Sequence, residues 1–243
     1  MKSWELKRLR TLPEKQRSRA LYERVFPEDS SRFLDFYYTE RCRDNQILAI
    51  EAEDELIAML HINPYTLCVR GERELRRLPL AYLYAVATAE EHRGQGLMTA
   101  LLTEAFRLLR EQGTALSFLI PVDERIYIPF GYERVCDFCT FSELQRLPGI
   151  AEDGEMERNE ALSECFELFC DRDARYRALI SREREIAAEE GGEAAGFPGK
   201  PAVMMKVLDR VLLCRELRLP PLLSEHALLQ WLRERRMLIS EDI

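Results

Sequence analysis

Residues Glu91–Met98 read E-H-R-G-Q-G-L-M, a turn carrying two glycines between a strand-like run and a helix-like run. Before it, Leu80–Thr88 (L-A-Y-L-Y-A-V-A-T) is apolar and aromatic, of strand length, and preceded by Pro79. After it, Leu97, Leu101, Ala105, Leu108 and Leu109 recur at helical spacing, while Thr103, Glu104, Arg107 and Arg110 fall largely on the opposite face. The order is strand, turn, helix. Without a Cβ, Gly94 and Gly96 reach positive φ and let backbone N–H groups approach a ligand at the start of the helix. A polyphosphate satisfies those donors and the positive end of the helix dipole together. The phosphate-facing set is then Arg93, Gly94, Gln95, Gly96, Leu97, Met98 and Thr99. A G-x-G turn at such a junction is also an ordinary tight turn. It is neither the dinucleotide fingerprint nor the P-loop, since it lacks a third glycine at the right offset and a following Lys-Ser/Thr.

Further along, Ala115–Ile120 reads as a second buried strand, followed by D-E-R-I-Y-I-P-F-G-Y over Asp123–Tyr132. Together these pieces resemble the GNAT superfamily of N-acetyltransferases. Its pyrophosphate loop typically runs Q/R-x-x-G-x-G/A, and a Tyr stands four residues before a later G-F or G-Y. Here the loop runs Glu91-His92-Arg93-Gly94-Gln95-Gly96, and Tyr127 precedes Gly131-Tyr132 by four residues. The resemblance is more specific to the branch with the enhanced-intracellular-survival acetyltransferases, through His92–Leu97 and Ile126–Tyr132. The first loop position is Glu91 rather than Gln or Arg, which removes one phosphate donor.

The resemblance implies an α/β (α+β) fold: a mixed, mostly antiparallel sheet flanked by helices. It implies acetyl-CoA as cosubstrate, no metal, and direct attack of a primary amine on the thioester. The exposed backbone of Val86, Ala87 and Thr88 would receive pantetheine as an added strand and polarise the thioester carbonyl. Tyr127 would be the general acid: a thiol near pKa 8.5 and a phenol near 10 are close enough for proton donation to sulfur. A buried aromatic with a bonded hydroxyl is the competing reading of Tyr127. A primary amine of pKa about 10.4 is neutral only about once in 2,500 molecules at pH 7, so a base is also needed. Asp123 and Glu124 are candidates for meeting a cationic substrate, or form a solvated turn. Phe33 and Tyr37, on a predicted helix, and Tyr82 and Tyr84, on one strand face, are candidate pocket residues or simply core. The alternative function is a non-catalytic acyl-CoA-binding or sensing module. The sequence leaves the acceptor, the base and the oligomeric state open.

Composition narrows the class. The chain has 243 residues, is 47 % hydrophobic and carries a net charge of −8, with an isoelectric point near 5.2. That supports a real core and argues against a nucleic-acid surface. No signal peptide and no run of about 20 apolar residues is visible, so a soluble, cytoplasmic protein with no membrane partner is expected. Seven cysteines at irregular spacing are no disulfide framework. Cys136 and Cys139 lie in a predicted strand, Glu133–Ser142, where residues three apart face opposite ways.

The remaining pattern predicts helices over Glu14–Val25 and from Ser30 or Ser31 to about Arg43, then strands Ile47–Glu51, Leu56–Ile62 and Tyr65–Val69. An acetyltransferase domain is expected over 1–145. Residues 146–243 form a smaller, mostly helical C-terminal extension with predicted helices Ala161–Cys170, Arg172–Glu189 and Leu223–Met237, a strand Ala202–Leu208, and a Gly/Pro-rich linker Glu190–Pro201.

Overall fold

Glu53 and Asp54 both take positive φ, 52° and 66°, and reverse the chain between β2 (Gln46–Ala52) and β3 (Glu55–Arg70). Two such residues in succession give a turn whose twist matches that of a hairpin. In the computed structural model the described residues are 3–72, 74–140, 143, 159–190 and 201–240.

β4 (Leu75–Thr88) returns antiparallel along β3, from Arg70 opposite Leu75 to Ala58 opposite Thr88. Both strands run straight through a proline at which the sequence reading ended or began them. Pro64 faces Ala81 and Pro79 faces Thr66. On their other edges no strand among the described residues pairs with either proline: β2 leaves β3 at Ile62, and β5 (Leu116–Leu119) joins β4 only at Leu80, Ala81 and Tyr82. A missing N–H there breaks no ladder bond on that edge.

The first helices differ from expectation. β1 (Glu5–Leu9), pairing antiparallel with β2, is a strand the pattern did not announce, because only Leu9 of E-L-K-R-L is buried. Charged residues suit an unpaired edge, and Lys7 bonds Glu51 across the pair. The helix expected over Glu14–Val25 is two, α1 (Leu12–Gln16) and α2 (Arg19–Val25). Thr11 caps α1 in a capping box with Glu14, and the Ser18 hydroxyl turns back to the Lys15 carbonyl, 2.7 Å away. α3 (Ser31–Thr39) starts as expected, with Ser30 accepting from the Phe33 N–H at 3.0 Å.

α4 (Leu97–Glu111) lays Leu97, Leu101, Leu102, Ala105 and Leu109 on Leu48, Ile50, Leu60, Ala81 and Leu83. Each fully buried leucine contributes about 2 kcal/mol of burial free energy. Beyond β6 (Glu133–Asp137) come α5 (Asn159–Cys165), β7 (Leu168–Cys170), α6 (Ala174–Glu189), β8 (Ala202–Val207), α7 (Arg210–Leu217), α8 (Glu225–Arg233) and β9 (Met237–Leu238). On the sheet face opposite α4, α2 and α3 cover one end through Leu21, Tyr22, Leu34 and Tyr37. α7 and α8 cover the other end through Leu213, Leu228 and Leu232.

The helix expected over Ala161–Cys170 stops at Cys165, and its end becomes β7, which fills the edge of β3 from Leu67 to Val69. Three residues carry no period, so only pairing reveals this strand. β8 inserts between β5 and β6, giving the order β1-β2-β3-β4-β5-β8-β6, antiparallel except at β4–β5 and β7–β9. The boundary expected at 145 therefore follows no break in the sheet. Residues 141–142 of the expected strand Glu133–Ser142, residues 191–200 of the expected linker, and Ile243 lie outside the described residues; β6 itself ends at Asp137. Among the described residues no helix is long and apolar enough to cross a membrane.

Candidate active site

β4 and β5 separate after Tyr82 and Phe118, the last residues they pair. Just beyond, β4 bulges: His61 faces Tyr84 and Met59 faces Ala87, so Leu60 stands opposite two residues, and Ala85 takes φ 47°. A bulge adds twist and re-aims the strand, and here it starts where β5 has left. Among the described residues, no strand pairs with that edge of β4 from Leu83 to Thr88.

A single turn of 3-10 helix, Glu90–His92, carries the chain from β4 into the glycine loop. Gly94 and Gly96 lie at φ 74° and 78°, a left-handed conformation that costs an L-residue about 1–2 kcal/mol. A Cβ at either would meet no atom within 4 Å, so open space lies over both. Gly96 is the N-cap of α4 with no side chain capping the helix, and the Ala100 N–H makes a bond to the Gly96 carbonyl at 3.1 Å. The amides of Leu97, Met98 and Thr99 precede that bond and are the donors a helix start leaves for a ligand. This donor set in an open cradle fits a diphosphate. Arg93 is exposed and donates to the Thr88 carbonyl at 3.3 Å; Glu91 is engaged by Arg24 at 3.2 Å.

After β5, two 3-10 turns, Glu124–Ile126 and Ile128–Phe130, hold Tyr127 between them. Its carbonyl accepts from the Phe130 N–H at 3.0 Å, and Gly131 at φ 81° turns the chain into Tyr132. Tyr132 is fully buried with its hydroxyl 2.8 Å from Ser117 Oγ, and Tyr127 sits edge-on to that ring at 6.0 Å. Tyr127, Val86 and Met98 all pack against the α4 side core. The Tyr127 hydroxyl has no hydrogen-bond partner among the described residues, and burial pushes its phenol up to about 12. It holds its proton at neutral pH, as an acid must.

The two carboxylates ahead of Tyr127 are occupied. Asp123 holds the backbone N–H and guanidinium of Arg125 at 2.7–3.1 Å, and Glu124 meets Arg134 at 2.7 Å. Arg125 holds the Asp123 carboxyl below its ordinary range.

The aromatic candidates gather on the other sheet face. Phe33 is partly exposed, 6.0 Å from Tyr37, whereas Tyr37 is fully buried with its hydroxyl 2.8 Å from His61 Nδ1. Tyr82 stacks on Phe118 at 4.5 Å and stands 5.6 Å from Tyr84. Tyr84 hydrogen-bonds Tyr22 through the two hydroxyls, and Tyr22 donates to Asp29 at 2.7 Å. Burial raises the Asp29 carboxyl above its usual range and drives the Tyr22 and Tyr84 phenols far up. Tyr22, Asp29 and His61 were not among the residues singled out from the sequence. No spacing links them; the nearest signal was Ser30, whose cap places Asp29 just ahead of α3.

No group of three metal-ligating side chains occurs among the described residues. By sequence, residues 8–135 match the acetyltransferase (GNAT) domain. Among solved structures, the chain is similar to a conserved protein from Enterococcus faecalis (15 % identity, TM-score 0.59, covering 88 % of this chain and 75 % of that one). It is also similar to a GCN5-related N-acetyltransferase from Kribbella flavida (15 %, 0.56, 86 % and 72 %). A third likeness, to Eis1 from Mycobacterium abscessus, has 18 % identity and TM-score 0.53, covering 83 % of this chain and 50 % of that one. At these identities the likeness is one of fold. No curated protein matches the sequence.

Proposed function

The chain belongs to the GNAT acetyltransferase family, and from that premise we propose that it is an N-acetyltransferase carrying acetyl from acetyl-CoA directly to a primary amine. The observation that carries this reading is the parting of β4 from β5 beside the open glycine cradle. The phosphates sit on the amides from Arg93 to Thr99, and pantetheine extends along Val86, Ala87 and Thr88. A β4 amide there polarises the thioester carbonyl as the tetrahedral centre forms.

Two proton movements accompany the transfer. At sulfur, the Tyr127 hydroxyl donates a hydrogen bond to the departing thiolate. Its phenol at about 12 against about 8.5 for a thiol makes complete transfer uphill by about 5 kcal/mol. The hydroxyl therefore acts by hydrogen-bonding the developing charge, and water supplies the thiol's final proton. At nitrogen, the polarity of the Tyr84–Tyr22–Asp29 chain supplies a direction. Ionised Asp29 only accepts, so Tyr22 spends its one hydrogen on Asp29 and must accept from Tyr84. As nitrogen bonds to the carbonyl carbon, its proton passes to the Tyr84 oxygen, the Tyr84 proton to Tyr22, and the Tyr22 proton to Asp29. Both phenols end as they began. Asp29 gains one proton, which it loses to solvent.

The test is free-thiol release from acetyl-CoA across a panel of amines, with acetyl-CoA binding measured by calorimetry in parallel. Amine-dependent release is expected. Tight binding with no release for any amine leaves a non-catalytic acyl-CoA-binding module instead.

A further inference from the structure

Among the described residues nothing hydrogen-bonds the Tyr127 hydroxyl. An acid that meets sulfur at hydrogen-bond distance is here aimed by its backbone and its ring, not by a bond of its own. The backbone part is local. The Tyr127 carbonyl accepts from the amides of Phe130 at 3.0 Å and Tyr132 at 3.4 Å, and Gly131 at φ 81° closes the turn. That fixes the Cα of Tyr127 but leaves its partly exposed side chain free to choose among rotamers.

The ring part runs through Tyr132. Tyr127 meets that ring edge-on, with centroids 6.0 Å apart and planes at 76°. This is a preferred arrangement for an aromatic pair, and it holds one ring only as firmly as the other is held. Tyr132 is held from several sides. It is fully buried, Phe106 of α4 stands 6.1 Å from it, and its hydroxyl lies 2.8 Å from Ser117 Oγ. Ser117 is itself fully buried inside the sheet, opposite Ala81 of β4 on one side and Lys206 of β8 on the other. As the antiparallel partner of Ser117, Lys206 shares its face. Its Nζ lies 5.2 Å from the Phe106 ring and 2.8 Å from the point where a Cβ on residue 131 would stand, so it closes over the turn that carries Tyr127.

We propose that Ser117 is a positioning residue: its hydrogen bond fixes the Tyr132 ring, and that ring aims the Tyr127 hydroxyl at the parting of β4 and β5. Two hydroxyls buried in an apolar layer cost desolvation, and an Ala and a Phe would fill the same space without it. What the hydroxyl pair adds is direction, because an O–H···O bond sets the tilt of a ring that packing alone would leave free to rock. This role deepens the acyl-transfer reading and rests on it where turnover is concerned.

The experiment combines kinetics, urea unfolding and tyrosine-ring spectroscopy on the full chain. Ser117→Ala should lower kcat by about ten- to a hundredfold, the scale of a misplacement on the order of 1 Å, while the acetyl-CoA dissociation constant changes by less than about twofold. In a Tyr127→Phe background the same change should cost less than about twofold, because the hydroxyl it aims is already gone. Ser117→Ala combined with Tyr132→Phe removes the stranded hydroxyl and should recover the urea midpoint lost by Ser117→Ala alone, yet kcat should stay low. Carbon-13 labels on the tyrosine rings give a readout that needs no turnover. The Tyr127 signal, identified by its absence from Tyr127→Phe, should shift and broaden in Ser117→Ala. Should Ser117→Ala fail to fold, Tyr132→Phe keeps the ring and breaks the same bond. An equal loss in both backgrounds, a kcat that recovers together with stability, or an unmoved Tyr127 signal would each overturn the proposal. If no amine releases thiol in the wild type, the transfer reading falls and the ring signal alone decides the positioning role.

Discussion

Residues 93–99 bring consecutive positions of one short segment to one place, with two glycines at φ 74° and 78°. By contrast, Tyr22, Asp29, Tyr37, His61 and Tyr84 reach one place from α2, the turn before α3, α3 itself, β3 and β4. The loop depends on backbone conformation and on open space above it. The cluster depends on packing across elements, and its polar groups are buried where each bond made or missed counts. The loop should therefore be fragile to local change and indifferent to remote change, and the cluster the reverse.

The largest expected effect sits beside the loop. Tyr127→Phe should lower kcat by roughly a hundred- to ten-thousandfold with acetyl-CoA affinity nearly intact; turnover that does not change removes Tyr127 from the reaction. Next, Gly96→Glu should weaken acetyl-CoA binding by on the order of a hundredfold, because it places an anion at the helix start. It should also cost about 1–2 kcal/mol of stability for the left-handed φ. Calorimetry and urea unfolding separate the two losses, and unaltered binding would sink the cradle.

In the cluster, burial lowers the His61 pKa to about 3. A depressed folded pKa means that the unfolded chain takes the proton first, so stability falls as pH drops below the unfolded value near 6.5 and continues to fall until the folded value is passed. Between pH 7 and pH 5 this one residue should cost about 2 kcal/mol. Urea titrations of the wild type and His61→Gln at both pH values measure it, with the variant losing less.

A smaller effect is expected for Tyr84→Phe, whose kcat should fall about tenfold at pH 7 and recover as higher pH supplies more neutral amine. Asp29, raised by burial and with Glu28 and Glu183 as nearby acids, accepts a proton only when ionised. Activity should fall as pH drops through its raised value, and Asp29→Asn should erase that acid limb in a pH–rate profile; a limb that persists points to another base. Smallest is Asp123→Asn. Its carboxylate already serves Arg125, so KM for the amine should change less than about threefold.

The elements legible in advance were those with a long period or a marked turn. α4 and the glycine loop each declare themselves within one segment, whereas Tyr127 was singled out as the expected acid by resemblance to the family, from its distance to Gly131-Tyr132. The elements missed have no such interval. β1 has one buried residue, β7 has three residues in all, and β3 and β4 run through prolines that read as breaks. Of the site, the hydroxyl chain from Tyr84 to Asp29 was illegible because its members stand 62 and 7 residues apart, and hydroxyls leave no periodic trace.

What the sequence determined by itself is local: where backbone must take positive φ and which helix stripe is apolar. Those follow from sterics and periodicity within a few residues. The tertiary structure alone decided that β8 enters between β5 and β6, that β4 bulges where β5 departs, and that buried hydroxyls meet across elements. Strand order and polar pairing are set by which surfaces fit once the helices cover the sheet, and such long-range pairings are not encoded in any one segment.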